Sequence, residues 1–195
     1  MNKNSLLLTV IFLLLFMQAH TYGESIPTPE KKAPWQQRIG NRFKQIWYEG
    51  NKDLYLTGYA WHNRYTYSAE RRSTHNYNEH AWGGGLGKGF YDEDGDWQGL
   101  YSLVFLDSHK NVEPWAGYGF LKTIHLVDDK VRMGGGFTLA VTMRPDINNG
   151  YPFPAATPLL NVSYKHLSVF AAYVPGLKNG TGNVLFIFGR WSFGY

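Results

Sequence analysis

The sequence predicts an all-β protein, an eight-stranded antiparallel transmembrane β-barrel with an N-terminal amphipathic α-helix. Three observations carry that expectation. In the closing stretch Asn183 to Tyr195, the residues Leu185, Ile187, Trp191, Phe193 and Tyr195 fall at every second position, and a period of two marks a strand. Val131 to Met143 alternates too: Val131, Met133, Phe137, Leu139, Val141 and Met143 share one face, while Arg132, Thr138, Ala140 and Thr142 share the other with glycines. That is the apolar-out, small-or-polar-in pattern of a barrel wall in lipid. Aromatic residues make up 17% of the chain beside 22 glycines, which together with short alternating runs favours a barrel over a soluble globule.

Residues 1–23 read as an export signal, with Lys3 as its positive end and Leu6 to Met17 as an apolar run of signal length. A spanning helix needs ~20 apolar residues, so an uncleaved anchor is the weaker alternative. Cleavage after Gly23 leaves 195 − 23 = 172 residues and, with Lys3 gone, a net charge of +3 instead of +4. Residues 24–34 are a polar, proline-containing leader.

An amphipathic helix is expected over 35–50, where Trp35, Ile39, Phe43, Ile46 and Trp47 recur at helical spacing. Arg38, Arg42 and Lys44 lie between them, and such a helix either rests in a membrane interface or packs as a lid.

The barrel domain then occupies 53–195, with strands beginning near Leu54, Trp82, Asp96, Glu113, Val131, Leu159, Leu167 and Val184. The links near 68–80, 144–158 and 175–183 are long and those near 92–95, 126–130 and 165–166 short, so the long ones belong at the outer rim. Turn residues mark several links: Asp94-Gly95, Asp128-Asp129, Asn148-Asn149-Gly150 and Asn179-Gly180. The third strand is apolar on both faces, Trp97, Tyr101, Leu103 and Phe105 against Leu100, Val104 and Leu106. One face meets lipid. The other lines either an oily pocket for an acyl chain or a solid packed core.

Composition excludes several chemistries. With no cysteine there is no disulfide, thiol nucleophile or cysteine-ligated metal. The positive charge is small and dispersed, so no nucleic-acid partner is expected. Asp92, Asp94 and Asp96 imitate the start of a calcium loop, but Trp97 stands where its glycine belongs and Leu103 where its glutamate belongs. Gly83-Gly84-Gly85 and Gly134-Gly135-Gly136 lack the Lys-Ser/Thr of a phosphate loop and read as small positions in the wall. His75, His80 and His109 lack metal-ligand spacing, so neither metal nor cofactor is expected.

Strand parity puts His62, late in the first strand, at the same end as Asp107 and Ser108, which close the third. A histidine, a carboxylate and a hydroxyl are the parts of an acyl-transfer site, with a merely polar rim as the alternative. Arg64, Arg71 and Arg72 cluster at the first outer loop, suited to bidentate phosphate contacts or to plain solvation.

Several ordered blocks then point to a family: Asp53-Leu54-Tyr55, Trp61-His62, Tyr77-Asn78-Glu79, Trp82-Gly83-Gly84-Gly85, Trp97-Gln98-Gly99-Leu100-Tyr101, Asp107-Ser108, Glu113-Pro114, Ala116-Gly117-Tyr118-Gly119, Pro175-Gly176 and Gly182-Asn183-Val184. In order and spacing they resemble the PagP family of outer-membrane lipid A palmitoyltransferases over nearly the whole mature region. The resemblance implies an enzyme of the bacterial outer membrane. It would take a palmitoyl chain from the sn-1 position of a phospholipid donor and place it on the hydroxyl of an N-linked hydroxyacyl chain of lipid A, within lipopolysaccharide. It implies essential catalytic residues at His62, Asp107 and Ser108; the chemistry of these groups then suggests His62 as general base, Asp107 orienting the imidazole or stabilising its cation, and Ser108 as nucleophile or as a hydrogen-bond donor to the ester or the developing oxyanion. It implies a chain-measuring floor at Gly119, a lipid A-reading cation at Arg71 or Arg72, and a lateral gate at Pro158 and Pro175. The chain departs from the family pattern at Thr57 and Ala81, where a second gate would carry prolines, and at Lys178, where a tyrosine is expected. An outer-membrane phospholipase and a non-catalytic small barrel are the other readings, and the protein acts as a monomer or homodimer.

Overall fold

The structure is a computed structural model that describes residues 34–127, 130–176 and 182–194. The expected signal, almost all of the leader, the Asp128-Asp129 and Asn179-Gly180 turns, Lys178 and Tyr195 lie outside the described residues. The chain divides into two units, one ending at Tyr48 and one starting at Glu49. The first contains all but the last residue of α1 (Trp35–Glu49), along which Trp35, Ile39 and Phe43 form an exposed apolar row. Among the described residues no helix is long and apolar enough to cross a membrane.

The second unit is a closed barrel of eight strands, each hydrogen-bonded antiparallel to its neighbours in sequence, with the last paired to the first. The strands are β1 (Asn51–His62), β2 (Gly83–Tyr91), β3 (Trp97–Leu106), β4 (Val112–Val127), β5 (Val131–Thr142), β6 (Phe153–Tyr164), β7 (Leu167–Val174) and β8 (Val184–Phe193). Alternation decides which side chains point out. On β5, Met133, Phe137, Leu139 and Val141 are exposed while Thr138, Ala140 and Thr142 are buried. Trp191 and Phe193 continue the outer surface on β8, and Phe188 and Arg190 turn inward. Lipid is the solvent that suits such an outer face. The close approach of β2 and β3 explains one glycine run: a Cβ at Gly83 would collide with the Val104 carbonyl, and one at Gly85 with that of Ser102.

Two seams in the wall are only half zipped. β6 is paired to β5 from Phe153 to Tyr164, but to β7 only from Leu159 to Tyr164. Likewise β1 pairs with β2 from Asn51 to Thr57 and no further, whereas its pairing with β8 reaches His62. The expected start of the sixth strand, Leu159, therefore comes too late. Pro154 and Pro158 suggest a loop, yet along Phe153–Pro158 the strand is an edge, and an edge accommodates a residue with no N–H to donate. The first outer link also differs from a bare loop, since it holds a short helix, α2 (Ala69–His75). Ser68 caps its start by accepting from the Arg71 amide, and Asn76 ends it in the left-handed conformation.

The interior has two halves. In the lower half Tyr55, Trp97, Tyr101, Phe170 and Phe188 pack as a layered aromatic core, with Phe170 and Phe188 stacked at 5.1 Å and Tyr55 5.4 Å from Tyr101. The Arg190 guanidinium lies 5.0 Å from the Trp97 ring and 3.6 Å from Asp53 Oδ2 within that core. Above it opens a cavity of about 500 Å³. Of the two lumens left open by the sequence, an oily pocket and a solid core, each describes one half.

Candidate active site at the barrel mouth

The cavity is lined mainly by apolar side chains, among them Leu103, Phe105, Ala155, Ala156 and Phe186, and polar groups gather at its upper end. Its floor is set by Tyr101, whose hydroxyl is 2.6 Å from Thr138 Oγ1, and by Phe188. This volume lies inside the usual range of ligand sites, ~300–1,000 Å³.

Three segments build the upper end. β1 carries His62, its last residue and almost wholly buried at 1% exposure. The β3–β4 turn carries Asp107 and Ser108. This outer link is unusually short for a local reason: Asp107 Oδ1 accepts from the amides of His109 (2.8 Å) and Asn111 (2.7 Å), and the Asp107 amide donates to the Asn111 carbonyl (2.8 Å). A side chain that bonds its own backbone in this way closes a tight turn. The third segment is Tyr77-Asn78-Glu79. The Asn78 amide donates to the Ser108 carbonyl (2.8 Å) and Asn78 Nδ2 to the Asp107 carbonyl (3.2 Å), tying the first outer link to the turn.

The central contact is His62 Nε2 to Ser108 Oγ, 2.9 Å. The imidazole stacks on Tyr77 at 5.3 Å and meets Tyr67 edge-on at 5.0 Å. His62 and Ser108, the base and hydroxyl expected from sequence, thus stand within proton-transfer reach.

Asp107, expected to orient the imidazole or stabilise its cation, is engaged elsewhere. Its carboxylate is engaged by its own turn and by Arg144, whose Nη2 is 3.6 Å from Oδ2. The carboxylate opposite His62 Nδ1 is Glu79, with Oε1 at 3.4 Å. Partial burial works against the charged form of Glu79. Hydrogen bonds from both Arg64 nitrogens (2.6 and 2.9 Å) and the His62 amide (3.2 Å) outweigh it and hold the carboxyl at about 2.

The remaining expected site residues divide. Arg71 and Pro175 line the cavity. Arg71 Cζ lies 4.8 Å from the Tyr67 ring, and its Nη1 donates to the Thr66 carbonyl. Arg72 and Pro158 do not line it; Pro158 instead faces Phe137 where β6–β7 pairing stops. Arg64, grouped with them on sequence, is committed to Glu79. Gly119 lies beneath the floor: a Cβ there would sit 2.8 Å from Trp97 Cζ3 and 3.4 Å from Tyr101 Cε1. Thr57 and Ala81 are joined, since Thr57 Oγ1 donates to the Ala81 carbonyl at 2.6 Å across the unzipped part of the β1–β2 seam.

Sequence reasoning missed Glu79, Arg144 and Glu113. Arg144 reaches Asp107, Glu113 (3.5 Å) and Asp146 (2.9 Å) and so binds the β5–β6 link to the β3–β4 turn. Glu79 stood in a motif already singled out, and its distance in sequence from His62 hid their contact. Among the described residues no cluster of side chains could hold a metal ion.

Comparison with known proteins shows the family. Residues 42–190 match the family described as "Antimicrobial peptide resistance and lipid A acylation protein PagP". The chain is 56% identical over 155 residues to "Lipid A acyltransferase PagP" of Legionella longbeachae serogroup 1 (strain NSW150), covering 80% of this chain and 66% of that protein. It is 54% identical over 159 residues to the protein of that name from Bordetella pertussis (strain CS), covering 82% of this chain and 85% of the relative. The protein of that name from Legionella pneumophila (strain Paris) is 40% identical over 190 residues, or 95% of this chain and 98% of the relative.

Proposed function

This chain belongs to the PagP family of lipid A acylation proteins, and on that premise we propose that it is an outer-membrane acyltransferase that moves a palmitoyl chain from the sn-1 position of a phospholipid to the hydroxyl of an N-linked hydroxyacyl chain of lipid A. The observation that carries this reading is the His62–Ser108 pair, 2.9 Å apart, at the mouth of an apolar cavity. Such a cavity accepts a hydrocarbon tail, each buried methylene contributing ~0.8 kcal/mol, and leaves the ester at the polar rim.

The chemistry follows from the pair. His62 Nε2 removes a proton from an attacking hydroxyl, whose oxygen adds to the ester carbonyl. The tetrahedral intermediate collapses by breaking the bond to the glycerol oxygen, which takes the proton back from the imidazolium. Products are a lysophospholipid and a lipid A with one more acyl chain. Two routes share these steps. In one the lipid A hydroxyl attacks directly while Ser108 hydrogen-bonds the developing oxyanion. In the other Ser108 attacks first and hands the acyl group on. Release of lysophospholipid in a burst equal to the enzyme, without acceptor, marks the second.

Lipid would enter sideways where β6 and β7 are unpaired, beside Pro158 and Pro175, and Arg71 or Arg72 supplies a cation for lipid A phosphates. Gly119 sets the depth through Trp97 and Tyr101. Mass spectrometry of lipid A tests the proposal. A gain of one acyl chain with the protein supports transfer, free fatty acid instead indicates hydrolysis, and unchanged lipid A with no fatty acid rejects both.

A further inference from the structure

We propose that Glu79 is the positioning carboxylate of this site, holding the His62 ring so that Nε2 faces Ser108 and stabilising the imidazolium formed during transfer. The inference rests on the reading of His62 as the base. For Nε2 to accept a proton, the neutral ring must carry its hydrogen on Nδ1. Nδ1 is buried and makes no hydrogen bond of good geometry, yet Glu79 Oε1 lies 3.4 Å away. Catalytic hydrogen bonds are often long in a resting site and tighten when substrate closes it.

Glu79 is fixed to the strand that carries His62. Its backbone carbonyl accepts from the Ala60 amide (2.9 Å), Oε1 accepts from the His62 amide (3.2 Å), and Oε2 accepts from Tyr59 Oη (3.3 Å). Arg64 grips both oxygens. The carboxylate therefore cannot turn away from Nδ1 without losing contacts on every side.

Asp107 is placed differently. Its oxygens serve the His109 and Asn111 amides, Asn111 Nδ2 and Arg144. Its contribution is to shape the turn that presents Ser108. The groups around the His62 ring are Glu79 and Arg64 from the strand's own surroundings, Tyr67 and Tyr77 from the first outer link, and Ser108 from the β3–β4 turn, with Asp107 and Arg144 beyond it. Glu79 is the carboxylate that faces Nδ1 among them.

The test uses the full chain in detergent with a 1-palmitoyl phospholipid and lipid A. Glu79→Gln keeps the shape and removes the charge. Its kcat should fall about 100-fold with little change in KM. The His62 ring titration, followed by nitrogen NMR, should move down by about one pH unit or more. Glu79→Asp should recover part of both, and Arg64→Gln, which spares the carboxylate, should be milder than Glu79→Gln.

A folded Glu79→Gln variant with unchanged kcat and unchanged titration would overturn the assignment, as would an Arg64→Gln variant equally impaired. If Glu79→Gln does not fold, the tautomer of the unaltered protein decides: hydrogen on Nδ1 at neutral pH supports the proposal and hydrogen on Nε2 overturns it. The tautomer and titration report on Glu79 whether or not transfer occurs. Undiminished transfer by His62→Ala instead overturns the reading of His62 as the base.

Discussion

His62 Nε2 lies 2.9 Å from Ser108 Oγ although 46 positions separate the two residues in the chain. Barrel topology makes the meeting possible. Both sit at the finish of upward strands, one on β1 and one just past β3, and the contact between them crosses the mouth above β2. Asn78 then fixes the height of the Ser108 backbone relative to the first outer link.

Removing either partner should stop transfer without harming the barrel. His62→Ala and Ser108→Ala are expected to lose acyl transfer about 100-fold or more, the usual contribution of a placed base. Lipid A mass spectrometry measures the loss, and heat-modified gel migration checks the fold. Undiminished transfer in both variants contradicts the assigned roles.

Gly119→Met should shorten the transferred chain. Even a Cβ at Gly119 would sit 2.8 Å from Trp97 Cζ3. A longer side chain must push Trp97 and Tyr101 toward the cavity. The added acyl group should be lighter by one or more two-carbon units in the lipid A spectrum, and an unchanged mass contradicts a floor at this level.

Acid should loosen the first outer link. The Glu79 carboxyl is held at about 2 against an ordinary 4.5, so its folded-state value is depressed. The associated stability is fully present above 4.5 and is lost as pH falls from there toward 2. Protection of the His62 and Ala60 amides from hydrogen exchange should decline across that window, and Arg64→Ala should flatten the dependence.

Arg144→Ala should destabilise the upper rim. It leaves Asp107 and Glu113, both buried, without their cation. Breaking a buried ion pair from one side costs roughly 3 kcal/mol. Urea unfolding of the refolded protein measures this, and a change well under 1 kcal/mol would show that the contact contributes little.

Pro158→Ala should slow lipid exchange. Restoring an N–H at the point where β6 and β7 part allows their pairing to extend upward. Transfer is expected to fall several-fold with thermal stability equal or higher. A faster reaction would place entry at another seam.

Much of the fold was legible because period-two patterning is written locally. Met133, Phe137, Leu139 and Val141 announce an outward face on β5 with no knowledge of the rest of the chain. Strand parity went further and put His62 and Ser108 at one end. The start of β6 was placed too late because the stretch near 144–158 reads as one long link, and its second half is a strand on one side only, since β7 pairs with β6 from Leu159 onward. Glu79 escaped for a similar reason. Its partners Tyr59, Ala60, His62 and Arg64 lie on the far side of a link whose closure depends on Thr57, Ala81 and the unfinished β1–β2 ladder.

The aromatic core beneath Tyr101 has a consequence for the cell. A hollow cylinder piercing an envelope would conduct ions and admit toxic solutes. Trp97, Phe170 and Phe188, with Arg190 clamped among them, cork the bore below the cavity. The chamber therefore behaves as a cup and not a pipe.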